Sequence, residues 1–566
     1  MKEKITDLKD MLNKTKELYG NKTAYKIRNK EKGYKTISHL DARNMIDYLG
    51  TSLINMGLKD KKIAIIGENR YEWGIAYLSI TCGTGIVVPL DKALPENELE
   101  KLIKRSEINT IFFTEKYLET IKKIKNKKDN NLENLISFDY EENTKDIYSF
   151  KKLIEDGKKL VNNNDRRFID AKIDPNKMQI MLFTSGTTSE SKVVALSHNN
   201  ICSNLMDLGS VLDVNTNDIL FSNLPLHHVF ECTVGFLFGL YTGASTVYSD
   251  GIRHIVENLV EYKPSIMFCV PGIYERILIM IKKKIEKAGR LEEFLLLEEK
   301  AKNLSMEERK EIFKPIHEML GGNIKSFFNG AAALDPKVEQ EYRLIGFNLA
   351  QGYGLTESSP VVAVGTKKDY RLGTIGKPLP HVKVKLVDIN KEGMGELVVK
   401  GPNVMLGYYK NEKATKETIK NGWLYTGDLA KIDDDGFIYI CGRKKSVIVL
   451  KNGKNIFPEE IENLINKIPG VEESFIFGKK ISDDKDNIKI NVKIVFNKEN
   501  IKEIYKVEKD EEIHKIFAKE IKKINQSIPN YKSIKGIIIT EKPLIKTTTN
   551  KIKRQLNLDE IEKSTN

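Results

Sequence analysis

The sequence predicts an α/β protein built as a large N-terminal domain over residues 1–444 and a small α+β C-terminal domain over 445–566. Three observations predict it. Short apolar runs alternate with helical patterns between residues 62 and 328, the signature of layered, mostly parallel sheet. After about residue 370 the apolar residues recur with period two, as in a half-exposed antiparallel sheet. A chain of 566 residues also exceeds what one core normally supports.

The elements follow in order. Residues 62–66 read as a strand, with a helix from Glu68. Residues 86–90 read as a strand before a helix from Pro95. Strands are expected at 110–113, 178–183, 219–221, 265–270 and 324–328, with a charged loop or helix end at 122–131. The longest uncharged stretch, 232–249, contains Gly235, Gly239, Gly243 and several hydroxyls. It reads as a buried helix turning into a strand rather than a membrane span. Residues 274–320 have helical spacing rich in Lys, Glu, Leu and Ile and read as a pair of surface helices. Period-two strands are expected at 382–387 and 395–400. Past Lys445 come a helix at 458–467, strands at 471–477 and 488–496, a helix at 511–528 and a strand at 536–540.

Composition narrows the function. The net charge is +13, from lysines spread along the chain. No nucleic-acid-binding motif accompanies it, so it reads as a solvated basic surface that attracts anionic substrates or an anionic membrane surface. The five cysteines, Cys82, Cys202, Cys232, Cys269 and Cys441, form no Cys-x-x-Cys pair. That excludes a disulfide scaffold or zinc site and fits a reducing compartment. The start, Met1 to Asp7, carries no apolar signal region. A cytoplasmic protein is expected, with peripheral contact at the inner face of a membrane.

Six stretches carry the chemistry. Thr184-Ser185-Gly186-Thr187-Thr188-Ser189-Glu190-Ser191-Lys192 follows a strand and precedes Ser197-His198-Asn199-Asn200, which can open a helix. Its N–H groups, hydroxyls and one cation suit a polyphosphate. Asn329-Gly330-Ala331-Ala332-Ala333-Leu334 is a small-residue turn that lets a flat ring approach backbone, or simply packs tightly. In Gln351-Gly352-Tyr353-Gly354-Leu355-Thr356-Glu357-Ser358, Tyr353 can stack on a base, Thr356 can donate to a phosphate and Glu357 offers a hard oxygen to Mg²⁺. Trp423-Leu424-Tyr425-Thr426-Gly427-Asp428 places a carboxylate after a glycine turn, able to accept from two vicinal hydroxyls. The run from Gly442 to Glu462 reads turn, strand, glycine turn, proline, helix. Near the end, Lys546-Thr547-Thr548-Thr549-Asn550-Lys551 carries a lysine in a basic tail.

In this order and spacing, over roughly residues 20–555, the stretches resemble the adenylate-forming (AMP-binding) superfamily, and within it bacterial long-chain fatty-acid–CoA ligases. Asn223-Leu224-Pro225-Leu226-His227-His228-Val229-Phe230-Glu231 and Val270-Pro271-Gly272-Ile273-Tyr274-Glu275-Arg276 support that subgroup. The resemblance implies a small β-barrel-like subdomain in the large domain and a mobile C-terminal cap. It implies an enzyme using ATP, Mg²⁺ and CoA on a fatty acid. ATP would contact Thr184, Ser185, Gly186, Thr187, Thr188, Lys192, Gly330, Ala331, Ala332, Gln351, Gly352, Tyr353, Gly354, Thr356, Asp428, Arg443 and Lys551. Lys551, Thr356 and Glu357 would be catalytic, and Thr184 with Glu357 would position the metal. His228, Phe236, Gly354 and Leu355 would line the acyl pocket, Lys445 would be the hinge, and Gly453 would open the CoA channel.

Two departures from the family pattern are visible. Ser189 stands where glycine is usual, and Ser191-Lys192-Val193 where Pro-Lys-Gly is usual, which alters loop mobility while keeping the donors. Asn550 precedes the lysine in place of glycine, and asparagine tolerates left-handed backbone. An acyl carrier protein as thiol acceptor, and a non-enzymatic lipid-binding scaffold, are the alternative readings.

Overall fold

The computed structural model describes residues 3–28, 33–127, 131–184, 192–450, 454–481, 484–547 and 551–565. Two large sheets form the body of the N-terminal domain. One has nine strands in the order Lys377–Pro378, Val361–Val364, Leu349–Gly354, Ser326–Asn329, Ile266–Cys269, Ile219–Ser222, Ser245–Tyr248, Thr23–Arg28, Tyr34–Ser38. The six strands from Leu349–Gly354 to Thr23–Arg28 run parallel, with antiparallel strands at both edges. The other has eight, in the order Gly407–Tyr408, Val193–Ser197, Met178–Phe183, Ile86–Pro89, Lys62–Ile66, Thr110–Phe113, Asn134–Ser137, Tyr148–Ser149. Its six strands from Met178–Phe183 to Tyr148–Ser149 run parallel, and the antiparallel pairings lie at the opposite edge.

The continuous apolar runs follow from this layering. Successive side chains on a strand point to opposite faces, and here both faces are covered. Ile63 and Ile65 enter one core, while Ala64 and Ile66 enter another. In the nine-stranded sheet Ile266 and Phe268 share the first core, and Met267 and Cys269 enter a third. That first core also holds Leu49, Trp73, Leu205 and Phe236 from helices, so residues of both sheets meet in one mass. Burying a side chain of this size contributes about 1.5–3 kcal/mol.

After the second sheet comes a five-stranded antiparallel sheet, Lys383–Val387, Gly395–Lys400, Trp423–Ile432 and Ile419–Lys420, with Ile438–Arg443 paired to Trp423–Ile432. Burial alternates residue by residue along Leu424 to Ala430, whereas Gly395–Val399, expected to be half-exposed, is buried throughout because the strand lies between Lys383–Val387 and Trp423–Ile432 with both faces covered. The C-terminal domain has a two-stranded ribbon, Ile448–Val449 with Asn455–Ile456, and a three-stranded sheet, Val471–Ile481, Asp484–Phe496 and Ile534–Thr540. Helices Pro458–Ile465 and Asp510–Ser527 lay Ile461, Ile465, Ile513, Phe517 and Ile521 on that sheet.

Two expectations need correction. The hydroxyl-rich loop does not join a strand to a helix. A second strand, Val193–Ser197, returns antiparallel to Met178–Phe183, so the loop is the tip of a hairpin. Val193, Val194, Ala195 and Leu196 are all buried, and four apolar residues in a row are a strand by the rule applied elsewhere. The helix His198–Val211 starts only afterwards, its capping box closed by Ser197 and Asn200. The segment 274–320 is not a pair of surface helices either. It lies in four helices, Pro271–Lys287, Leu291–Ala301, Met306–Ile312 and Lys314–Met319, and it buries Tyr274, Ile277, Ile281, Phe294 and Phe313 in the third core. The stretch 232–249 is buried as expected, a wide-turned helix from Glu231 to Leu237 running into Phe238–Thr242 and then Ser245–Tyr248. Among the described residues, no helix is long and apolar enough to cross a membrane.

Candidate functional site

The site lies where the C-terminal ends of the parallel strands, the hairpin neck at Thr184 and Lys192, the five-stranded sheet and the C-terminal domain come together. Strand pairing builds its most rigid part. Asp428 and Arg443 sit opposite each other in the antiparallel pair Trp423–Ile432 and Ile438–Arg443. Directly opposed residues share a face, so fifteen residues of separation become one ion pair. Arg443 Nε lies 2.8 Å from Asp428 Oδ1. The Tyr353 hydroxyl donates to Asp428 Oδ2 at 2.5 Å. Asp428 is 4% exposed. Burial raises its pKa, with Arg443 and Tyr353 pulling the other way. Burial, and then the nearby Asp428 charge, holds the Tyr353 phenol well above its usual range.

Tyr353 is the penultimate residue of the strand Leu349–Gly354. Gly354 follows at a register shift against Val361–Val364, where a Cβ would stand 2.0 Å from the Pro360 carbonyl oxygen. Backbone cannot give way there, so glycine is required. The chain then makes one tight turn, Thr356–Ser358, which exposes the Thr356 and Glu357 side chains in part. Glu357 Oε1 accepts from the Tyr408 hydroxyl at 2.8 Å.

The hairpin neck is closed. Thr184 N donates to Lys192 O at 3.0 Å, with the Thr184 hydroxyl 3.4 Å from the same oxygen. The Lys192 ammonium lies 4.5 Å from the centre of the Tyr408 ring. Ser185, Gly186, Thr187 and Thr188, with Ser189 and Ser191, lie outside the described residues, as do Gly453 and Asn550.

Opposite stands the small-residue turn. Asn329 and Gly330 are buried, while Ala331, Ala332 and Ala333 are exposed. Gly330 abuts Phe230, whose ring would lie 2.5 Å from an added Cβ. Ala331 takes φ +66°, a left-handed conformation that non-glycine residues adopt at some cost. The turn is tied from behind: Asn329 Nδ2 donates to Ala332 O at 2.9 Å, and Gln351 Oε1 accepts from Leu334 N at 2.9 Å. Gln351 Nε2 donates to Glu339 Oε2 at 2.9 Å.

Lys551 completes the cleft from the C-terminal domain. Thr547 N donates to Lys551 O at 2.8 Å, and Lys551 N to the Thr547 hydroxyl at 3.1 Å, so the lysine sits on a small closed loop. The residue is exposed, yet its ammonium is hemmed in by the surrounding cleft, and this crowding lowers its pKa. Arg443 adds to the lowering, while Asp428 and Glu357 oppose it. The ammonium also helps depress His228, whose imidazole is held near a pKa of about 3, first by burial and then by His227. An ion pair between Lys467 and Asp335 ties the two domains together beside the cleft.

This geometry assembles three cations, Lys192, Arg443 and Lys551, with two carboxylates and an exposed apolar shelf, the arrangement a nucleotide and a second anion require. Known proteins share both the sequence pattern and the architecture. The model of the AMP-binding enzyme family matches residues 12–409, and that of the AMP-binding enzyme C-terminal domain matches 445–564.

The chain belongs to the AMP-binding enzyme family.

It is 30% identical over 502 residues to Long-chain-fatty-acid–CoA ligase 6 of Rattus norvegicus, covering 82% of this chain and 70% of that one. It is 27% identical over 472 residues to Long chain acyl-CoA synthetase 4 of Arabidopsis thaliana, covering 78% and 71%. An anthranilate CoA ligase in complex with anthranoyl-AMP shares the architecture at TM-score 0.76 and 20% identity, over 99% of this chain and 98% of that one. So does the o-succinylbenzoate coenzyme A synthetase of Bacillus subtilis in complex with ATP and magnesium ion, at TM-score 0.72 and 19% identity, over 97% and 99%.

In this AMP-binding enzyme the structure brings together Thr184, Lys192, Gly330, Tyr353, Thr356, Glu357, Asp428, Arg443 and Lys551. Two residues stand elsewhere than expected. Gln351 is buried behind the turn, its amide spent on Leu334 and Glu339. Phe236 is fully buried, edge-on to Trp73 and Tyr77, and forms packed wall rather than open pocket. His228 is half-buried beside Lys551. Lys445 is exposed in the single turn Lys444–Ser446 between the two domains. Sequence reasoning missed Tyr408, which sits in a two-residue edge strand and carries no motif. It also missed the cluster that Asp91 forms with His227 and His228, whose ligand atoms lie within 4.8 Å of one another, with Asp91 Oδ1 and His227 Nε2 3.3 Å apart. The His227-His228 dipeptide was legible, but its carboxylate partner comes from a distant loop. The neighbouring Lys551 charge opposes a cation there.

Proposed function

We propose that this chain is an ATP-dependent long-chain fatty-acid–CoA ligase. It joins a fatty acid to AMP with release of pyrophosphate, then passes the acyl group to CoA and releases AMP. The observation that carries the reading is the meeting of Lys551 with Glu357, Asp428 and Arg443 in one cleft, within a chain whose relatives are named long-chain acyl-CoA synthetases.

The physical requirement is plain. A carboxylate approaching an α-phosphate brings two anions together, and cations must offset the repulsion. Lys551 is the cation that the other domain supplies: its ammonium is enclosed in the cleft, placed to bridge both groups. Asp428 and Arg443 hold the ribose, and Ala331, Ala332, Gly330, Gly352 and Tyr353 flank the adenine. The phosphates lie along 184–192, and Thr356 donates to the α-phosphate. Mg²⁺ fits the donor set, because Thr184 and Glu357 offer hard oxygens and this ion takes one or two carboxylates alongside substrate phosphates. When bound it would neutralise phosphate charge. His228, Gly354 and Leu355 border the acyl carboxylate, with Phe236 in the wall behind.

The domain boundary falls at 444/445, with Lys445 as hinge. Rotation there withdraws Lys551 after adenylation and brings the segment that contains Gly453 to the thiol channel. Contact with an anionic membrane would rest on the overall charge of +13. It would not rest on 274–320, which carries eleven Lys or Arg against ten Glu.

Purified protein incubated with ATP, Mg²⁺ and fatty acids from short to long should release pyrophosphate, and should form acyl-CoA on addition of CoA. Chelation of the metal should abolish both. Failure to form adenylate with any chain length sinks the reading. A competition between CoA and a carrier protein bearing its free thiol decides the acceptor.

A further inference from the structure

Tyr408 makes two contacts that no motif assigns. Its hydroxyl donates to Glu357 Oε1 at 2.8 Å, and its ring lies beneath the Lys192 ammonium, 4.5 Å from centre to nitrogen. Glu357 follows the strand Leu349–Gly354 of the nine-stranded sheet. Lys192 closes the hairpin beside the edge strand Gly407–Tyr408 of the eight-stranded sheet. One side chain therefore joins the two sheets at the point where both enter the site.

The backbone holds it there. Gly407 and Tyr408 pair with Ala195 and Val194, on the strand that leaves the hairpin tip. Tyr408 N donates to the Thr415 hydroxyl at 2.9 Å. Met405 N donates to Glu357 O at 2.9 Å, so the same segment grips Glu357 by its main chain. Gly407 takes φ +144°, and a Cβ there would stand 2.8 Å from Thr415. Tyr408 is 8% exposed. A phenol so fixed leaves little freedom to the carboxylate it bonds.

We propose that Tyr408 is a positioning residue: its hydroxyl orients the Glu357 carboxylate for the metal of a metal–ATP complex, and its ring holds Lys192 over the phosphates. The inference rests on the ligase reading above, since it assigns Glu357 to the metal side and Lys192 to the phosphate side. The two contacts are chemically separable. Tyr408→Phe removes the hydroxyl and keeps the ring, whereas Tyr408→Leu removes both. A hydrogen bond to a charged acceptor corresponds to a factor of about ten or more in an equilibrium constant.

The test is isothermal titration of ATP into the full chain, once with Mg²⁺ and once with EDTA. In Tyr408→Phe the gain in ATP affinity that Mg²⁺ brings should fall about tenfold, while affinity in EDTA stays unchanged. In Tyr408→Leu affinity in EDTA should fall as well. Glu357→Gln, which leaves the Tyr408 packing in place, should remove the Mg²⁺-dependent gain and make a further Tyr408→Phe change silent. A full Mg²⁺ gain in Tyr408→Phe overturns the inference, as does an equal loss with and without the metal. If Tyr408→Phe does not fold, a Glu357→Gln variant that keeps the gain overturns it instead. Absence of ATP binding by the unaltered chain would sink the ligase reading itself.

Discussion

Replacing Lys551 with alanine removes a cation that the C-terminal domain brings to the cleft. The ammonium stands within electrostatic reach of Asp428, Glu357 and Arg443. In the proposed adenylation it would face two further anions, the acyl carboxylate and the α-phosphate. A unit charge about 4 Å from an opposite charge, at the effective dielectric of about 20 found near protein surfaces, is worth about 4 kcal/mol. Arg443 remains and opposes part of the loss. A fall of about 10²–10³ in the adenylation rate follows, at 1.36 kcal/mol per factor of ten. The assay is ATP–pyrophosphate exchange with a long-chain fatty acid. Lys551 is exposed, so the unfolding midpoint should stay within about 2 °C of the unaltered chain. Thioester formation from supplied acyl-adenylate and CoA should persist, because that step needs no cation between two anions. The surroundings of Lys551 lower its pKa, so its charge, and the exchange rate, should fail at a lower alkaline pH than an ordinary lysine would allow. Lys551→Arg, which stays charged, should lose that alkaline limb. Equal loss in both half-reactions, or exchange unchanged in the alanine variant, would refute the reasoning.

Two further outcomes follow from buried groups. Asp428→Asn weakens the pair with Arg443 and the acceptor for Tyr353; each lost charged hydrogen bond costs about 1.5–3 kcal/mol, so ATP should bind about 10–100-fold less tightly by titration, and binding within a factor of two would contradict the ribose assignment. Glu231 is fully buried, and burial lifts its pKa from 4.5 to about 8. Between those values the unfolded chain has released a proton that the folded chain keeps, so this group makes stability fall as pH rises, by about 1.4 kcal/mol per unit. Glu231→Gln should flatten that slope in denaturant melts taken from pH 5 to pH 8, and parallel slopes in the two proteins would refute a neutral buried acid.

Much of the fold is legible along the chain because its physical cause is local. Ile63, Ala64, Ile65 and Ile66 are all apolar since both faces of their sheet are covered, and that is visible in four letters. Trp423–Ile432 alternates because one face meets solvent. Val193–Ser197 was hidden between two louder signals, a hydroxyl-rich loop before it and a helix cap after it. The segment 274–320 shows helical spacing, but whether its apolar stripe meets solvent or a core depends on what lies opposite.

The site divides along the same line. Sequence by itself determined the chemistry, since hydroxyls and a lysine at 184–192, the Thr356-Glu357 pair, Asp428, Arg443 and Lys551 are properties of residue type and order. Tertiary structure alone decided who touches whom. Asp428 meets Arg443 through strand register, Gln351 turns its back on the cleft to hold Leu334, and Tyr408 reaches Glu357 and Lys192 across two sheets. Contacts between residues far apart in the chain are fixed by packing and pairing, which no local window of sequence contains.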